Sequence, residues 1–380
     1  MTAVVREQRL AGLRWIVVGG GRREVFRALG ETAREDIRAV QEAMPERDAL
    51  RRWVSTAEGG ARLQQVLQAT RTRYAAEVAE LEALAEGAGA DVDDLLLANL
   101  RGDLGTDDGT GCTDLAWRRS RSFVAHNEDG APALDGRLML LTLVIDGLPP
   151  VTVQWYPGFL PANTFTATGL GLVWGINHVQ VVRPSPAGAG RHFVARALQC
   201  APTLDAAAEH LRTHPSAGGF AYTIGERGSG RVAVVESAAG RVAAVEATAE
   251  EPLHWHANHL RHLRDAPDVP PAPRPGCESG HATADLGQYE ESLSRGRALE
   301  KMHLGPREPS GDWFLEALTS APLPHGVHRT AAGPDPLMTL CTVVADLTGD
   351  RLTVRGASGE TAVLPLTDFS RGIATSARAI

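Results

Sequence analysis

Near residue 111 this 380-residue chain passes from a leader of helical period to mixed blocks of strands and helices, and that change limits the folds open to it. Before it, residues 22–45 and 48–88 carry apolar side chains at three- and four-residue intervals among Glu, Arg and Ala, the spacing of amphipathic helices. Asp91 stands as an N-cap before a short helix, DVDDLLLANL, with acidic residues in its first turn. Beyond residue 111 come short runs rich in Val, Thr, Phe and Trp, broken by Gly, Pro and Asn: RSFVAHNE, RLMLLTLVID, VTVQWYP and TFTATGLGLVWGINHVQVV. Two helical stretches, GRHFVARALQC and TLDAAAEHLRTH, separate these from strands at GFAYTIGE, GRVAVVESAAGRVAAVEA and LHWHANH. Helices return at TADLGQYEESLSRGRALEKMH and GDWFLEALTS, and LMTLCTVVADL and DRLTVRGA close the chain as strands. Blocks of strands, helices and strands again predict antiparallel sheets with helices packed outside, an α+β fold with a helical leader.

Composition narrows the function classes. The net charge is −8 and Lys and Arg are dispersed, so no basic stripe offers itself to nucleic acid or to an anionic membrane surface. The N-terminal apolar stretch is interrupted by Arg14, and no window approaches 18 uncharged apolar residues, which predicts a cytoplasmic protein. Four cysteines (Cys112, Cys200, Cys277, Cys341) lack CxxC spacing and are too few for a disulfide scaffold. The triplet Gly19-Gly20-Gly21 has neither the later glycine of a dinucleotide fingerprint nor a GK[ST] ending, and reads as a turn before the first long helix. Residues 265–280 hold five prolines and two glycines, a stiff exposed loop that could border a site entrance.

Chemistry concentrates where the pattern changes. Gly111-Cys112 follows Gly109-Thr110, and small residues there would let the backbone bend so that the Cys112 thiol reaches the Gly111 carbonyl. A cysteine freed at a new N-terminus would hold a nucleophile and, in its α-amino group with a pKa near ~8, a base. The plain alternative is an ordinary loop cysteine. His126-Asn127-Glu128-Asp129 lies 14–17 residues on, and a strand from Cys112 that hairpins back would return this cluster to the thiol, with Asp129 positioned for the amine; the alternative is an acidic turn. Asn258, in His254-Trp255-His256-Ala257-Asn258-His259, would suit an oxyanion hole or simply be a satisfied structural amide. The same histidines with His262 raise a zinc reading, although their spacing is not a recognised ligand pattern. Arg295 lies in an amphipathic helix with Glu290, Glu291 and Arg297, either as a solvated ion-pairing residue or as a buried guanidinium that would favour the Cys112 thiolate. Trp155, Tyr156, Phe159 and Trp174 read as core or as lining of an acyl pocket.

Taken in order, GC, HNEDG, GLVWGINHV, HANH and ESLSRGRALEK resemble the acyl-coenzyme A:6-aminopenicillanate acyltransferase family, a branch of the N-terminal nucleophile hydrolases related to the choloylglycine hydrolases. The resemblance covers nearly the whole chain, including the helical leader. It implies an αββα sandwich of two facing antiparallel sheets between helix layers. It further implies Cys112 as autoprocessing nucleophile, Asp129 beside its amino group, Asn258 as oxyanion donor, Asn177 as a second asparagine lining the site, and Arg295 near the nucleophile. Asn127 and His126 are supporting residues in this reading; His126 stands where the choloylglycine branch carries arginine.

The expectation is therefore a self-cleaving cysteine amidohydrolase or N-acyltransferase for small-molecule amides or thioesters. A cut at Gly111-Cys112 would leave a leader (1–111) associated with a catalytic segment (112–380) as a heterodimer, and a homo-oligomer is compatible with the sequence. No cofactor and no metal is expected, with acyl-CoA or another thioester a candidate acyl donor. The competing expectations are a zinc hydrolase on the 254–262 histidines and an inactive binding protein on the same fold.

Overall fold

The computed structural model of the chain describes residues 2–44, 46–105, 111–263, 283–302, 304, 307–333, 335–375 and 377–379, with backbone alone for residues 283–289. The Pro-rich segment 265–280 expected as an exposed loop, Cys277, and residues 106–110 lie outside the described residues.

The first departure from the sequence reading is at the start. Two strands, β1 (Val4–Leu10) and β2 (Leu13–Gly20), form a hairpin before any helix. Of the glycine triplet expected as a turn, Gly19 and Gly20 (φ +138°) end β2 and only Gly21 lies between strand and helix, as the N-cap of α1. The helical stretch follows: α1 (Arg22–Thr32), α2 (Arg34–Glu42), α3 (Arg47–Val54), α4 (Ala57–Arg73), α5 (Ala75–Ala88) and α6 (Val92–Leu100). Asp91 caps α6 by accepting from the Asp93 N–H. Glycine allows α1 and α5 to meet closely, since a Cβ on Gly30 would lie 2.2 Å from the Leu84 carbonyl and one on Gly87 1.9 Å from that of Arg27.

Past residue 110 come β3 (Gly111–Arg118), β4 (Ser122–Gly130), β5 (Met139–Ile145), β6 (Val151–Trp155), β7 (Thr166–Thr168) and β8 (Leu172–His178). The pair α7 (Arg191–Leu198) and α8 (Leu204–Thr213) precedes β9 (Gly219–Glu226), β10 (Val232–Ala238), β11 (Arg241–Glu246) and β12 (Leu253–His256). Then follow α9 (Thr283–Glu300), α10 (Gly311–Thr319), β13 (Met338–Asp346), β14 (Arg351–Gly356), β15 (Thr361–Pro365), α11 (Leu366–Phe369) and β16 (Arg378–Ala379).

These strands make two sheets, of order β1-β2-β5-β6-β7-β8-β9-β10-β11 and β12-β3-β4-β13-β14-β15-β16. Pairing is antiparallel apart from β2 and β5, which run parallel from Trp15↔Leu140 to Gly20↔Ile145, so the first sheet is mixed where a purely antiparallel one was expected. The cause is the N-terminal hairpin, whose second strand adds to a sheet otherwise built from residues after 111.

Strand alternation divides the apolar side chains into layers. One core joins Phe26, Leu81, Leu96 and Phe193 of the helices to Ile16, Leu141, Trp155, Trp174 and Tyr222 on the outer face of the first sheet. A second, with Trp15, Leu140, Phe165, Val173, Val124, Cys341 and Val343, fills the space between the sheets. A third packs Leu299, Phe314 and Leu318 of α9 and α10 on Leu115, Trp117, Phe123 and Ala125. The order helix, sheet, sheet, helix is the αββα sandwich. Among the described residues no helix is long and apolar enough to cross a membrane.

Candidate active site

A tight hairpin sets the site. β3 and β4 pair from Arg118↔Ser122 back to Gly111↔Asp129, which puts Cys112 opposite Glu128 and Asp114 opposite His126. Residues directly opposite share a face, so the Cys112, Asp114, His126 and Glu128 side chains all point between the sheets, while Thr113, Asn127 and Asp129 point to the helix layer. The sequence expectation that the HNED cluster returns to Cys112 is met by backbone pairing. Gly111 has ordinary extended backbone; its glycine serves close approach, because a Cβ there would sit 2.6 Å from Arg329 Nη1.

The main-chain atoms of Cys112 are held from the helix side. Its N–H donates to Asn258 Oδ1 at 3.1 Å, and Arg295 Nη1 donates to its carbonyl oxygen. Arg295 also reaches Thr113 Oγ1 at 2.8 Å and Asn258 Oδ1 at 2.5 Å, and its Nε donates to Glu291 Oε1 at 2.6 Å. The guanidinium is fully buried, which excludes the solvated alternative. Its hydrogen bond to Cys112 goes to the backbone carbonyl and not to the sulfur. Asn258 Nδ2 donates to the His178 carbonyl at 2.9 Å, and the Asn258 N–H to Ser292 Oγ at 2.8 Å.

On the inner face the thiol meets carboxylates. Burial, then Glu128 and Asp129, push the Cys112 thiol well above its usual range, so in the continuous chain it is a neutral thiol. His126 Nδ1 lies 2.7 Å from Asp114 Oδ1 and its Nε2 3.0 Å from Glu128 Oε2, with all three residues buried. Burial opposes charge on His126, but the two carboxylates outweigh it and raise the imidazole to about 10. Tyr156 donates to Glu128 Oε1 at 2.9 Å. The opposing sheet makes room through Gly175, where a Cβ would lie 2.1 Å from Asp114 Oδ1 and 2.7 Å from His126 Nδ1.

Asp129 is fully buried, and burial lifts its carboxyl to about 7 against the pull of Arg329 and Arg295. Its Oδ1 accepts from Thr339 Oγ1 at 2.8 Å, and Oδ2 has no hydrogen-bond partner among the described residues.

Asn177 sits at the buried end of β8 with Nδ2 3.3 Å from His256 Nδ1, and Asn127 turns away from the thiol. Asn127 donates to the Leu318 carbonyl at 2.8 Å and accepts from Thr342, joining β4 to α10 and β13. Of the aromatic residues, Trp155 and Trp174 belong to the outer core, whereas Tyr156 reaches the site through Glu128.

The zinc reading of residues 254–262 does not survive the geometry. His256 Nε2 binds Glu236 Oε1 at 3.0 Å and His259 Nδ1 binds Ser292 Oγ at 2.8 Å, and among the described residues these histidines form no three-ligand group. Alternation along β12 and the turn after it disperse them. Burial alone would raise Glu236, but the His256 hydrogen bond and backbone donors, Arg261 and Leu263 among them, hold it down to about 2. The sequence reading missed this buttress of the Asn258 turn, along with Asp114, Glu128, Glu291 and Arg329.

The family model described as acyl-coenzyme A:6-aminopenicillanic acid acyl-transferase matches residues 117–359. No curated protein matches the sequence. Among solved structures, the chain is similar to two variants of the conjugated bile acid hydrolase of Clostridium perfringens, with TM-scores of 0.38 and 0.41, 10% identity, and coverage of 71% of this chain and 96% of that one. It is also similar to the penicillin V acylase of Agrobacterium tumefaciens, with a TM-score of 0.37, 11% identity, and coverage of 68% and 86%.

Proposed function

Given that the chain belongs to the acyl-coenzyme A:6-aminopenicillanic acid acyl-transferase family, we propose that it is a self-cleaving cysteine enzyme that moves an acyl group between a small-molecule amide or thioester and water or an amine. The observation that carries the reading is the grip on the Cys112 main chain, with Asn258 on its nitrogen and Arg295 on its carbonyl, while the side chain points between the sheets.

In the uncut chain the Cys112 thiol adds to the Gly111 carbonyl, the acyl group passes from nitrogen to sulfur, and water hydrolyses the resulting thioester. This leaves segments 1–111 and 112–380. The freed α-amine then answers the problem posed by the raised thiol pKa: it takes the thiol proton as sulfur attacks the substrate carbonyl. In this reading the Asp129 carboxylate holds the ammonium, and the Asn258 amide is the candidate donor to the oxyanion, worth about 3 kcal/mol of barrier. The amine returns its proton to the leaving group, and the acyl-Cys112 intermediate passes to water or to a second amine. No cofactor takes part; an acyl thioester such as acyl-CoA is a candidate donor. Localisation in the cytoplasm and association of the two segments as a heterodimer belong to the same proposal.

The test is denaturing mass analysis of the wild type and of Cys112→Ala. Scaled by residue count from 40.4 kDa, the wild type should separate into pieces of about 12 and about 29 kDa, the larger beginning at Cys112, while the variant stays whole. Two full-length chains would remove the amine base and with it this mechanism.

A further inference from the structure

On the inner face of the hairpin, beside Cys112, stand an imidazole and a carboxylate that the acyl-transfer reading leaves unused. Cys112, His126 and Glu128 each offer a ligand atom, and these atoms all lie within 4.8 Å of one another. A tetrahedral zinc ion with bonds of about 2.0–2.3 Å holds its ligands roughly 3.3–3.8 Å apart, so small side-chain rotations close the triangle. The backbone has already done the larger part, because Cys112 and Glu128 are cross-strand neighbours and His126 is two residues along the same face.

The surroundings match a metal site beyond the ligands themselves. A ligating histidine almost always gives its other ring N–H to a carboxylate, a backbone carbonyl or water, which fixes the tautomer and directs the free lone pair. Here Asp114 Oδ1 takes Nδ1 at 2.7 Å, leaving Nε2 turned toward Glu128 Oε2. The second oxygen of Glu128 is likewise held, by Tyr156 OH at 2.9 Å. Thiolate, imidazole and carboxylate together are a donor set for zinc or cobalt(II) rather than for calcium or magnesium.

We infer that Cys112 Sγ, His126 Nε2 and Glu128 Oε2 form a site for one thiophilic divalent cation, with water in the fourth position and Asp114 and Tyr156 orienting the ligands. Binding displaces the thiol proton and the second imidazole proton to solvent and forms a metal–sulfur bond. The sulfur lone pair needed for attack on a carbonyl is then engaged, so the ion acts as a reversible stop on both self-cleavage and turnover. That consequence rests on the nucleophile reading above; the site itself does not.

The test is titration of the purified protein, stripped with chelator, with cobalt(II), reading visible d–d absorption and near-ultraviolet thiolate-to-cobalt charge transfer. The expected result is saturation at one equivalent, displacement by zinc, and loss of the charge-transfer band in the near-isosteric Cys112→Ser. Asp114→Asn should keep the bands and weaken binding about 10-fold, and His126→Gln should weaken it about 100-fold, with circular dichroism reporting the fold of each variant. Absence of binding in the wild type, a band that survives Cys112→Ser, or wild-type affinity in His126→Gln would overturn the site. Zinc that binds at one equivalent yet leaves self-cleavage unaffected would support the site while overturning the nucleophile reading.

Discussion

Replacing Asp129 by Asn should make the chain's stability less sensitive to pH in a direction opposite to ordinary acid denaturation. A carboxyl normally near 3.8 is raised to about 7 in the fold, chiefly by burial. The folded chain therefore holds this proton more tightly than the unfolded one, and stability fully present below pH ~4 is lost as pH rises through about 7. At about 1.36 kcal/mol for each pH interval of one, the shift corresponds to about 4 kcal/mol. Asn cannot ionise and escapes this loss. The comparison uses Cys112→Ala chains, with and without Asp129→Asn, so that no α-ammonium is created beside the carboxylate. Urea unfolding at pH 4 and pH 8 should show the Asn variant gaining about 4 kcal/mol relative to its parent at the higher pH. A relative gain below about 1 kcal/mol would mean that Arg329 and Arg295 neutralise the buried charge, and the argument would fail. The wild-type enzyme should gain activity over the same interval if the ionised Asp129 holds the amine.

Two further expectations follow from contacts away from the sulfur. Gly175→Ala forces a methyl to within 2.1 Å of Asp114 Oδ1, and urea unfolding should register about 1–3 kcal/mol of destabilisation with turnover falling alongside; an unchanged midpoint would show that the sheets separate easily. Glu236→Gln removes the charge from an acceptor serving His256 and the N–H groups of Arg261, His262 and Leu263, so the Asn258 turn should loosen and kcat drop about 10-fold in steady-state assays, with KM little changed.

Much of the site was legible in the sequence because hairpin pairing is simple arithmetic. A turn near residue 120 puts 112 opposite 128 and 114 opposite 126, so Asp114 and Glu128 could have been read together with His126. Asn127 shows the same arithmetic from the other side: as the neighbour of two inward residues it had to face out, and it anchors α10. Arg295 was ambiguous because helical periodicity does not report which face is buried when both carry charge. The N-terminal hairpin was invisible for a physical reason: β1 is an edge strand with most side chains exposed, so it carries no alternation. β16, two exposed residues at the end of the second sheet, carries no apolar signal either. The contacts of Glu236 with residues 256–263 and of Arg329 with Glu291 span 20 to 38 residues, and no local pattern encodes those.

The parallel pair β2 and β5 alters what a cut between residues 111 and 112 would mean. The two pieces would share one continuous hydrogen-bonded sheet, so the leader would be neither a discarded cap nor a separate subunit in the usual sense. The chain would fold as a single molecule and thereafter melt as two. Unfolding would change from a one-body equilibrium to a two-body one, in which dilution itself favours separation and a strand lost from β5 returns only by diffusion.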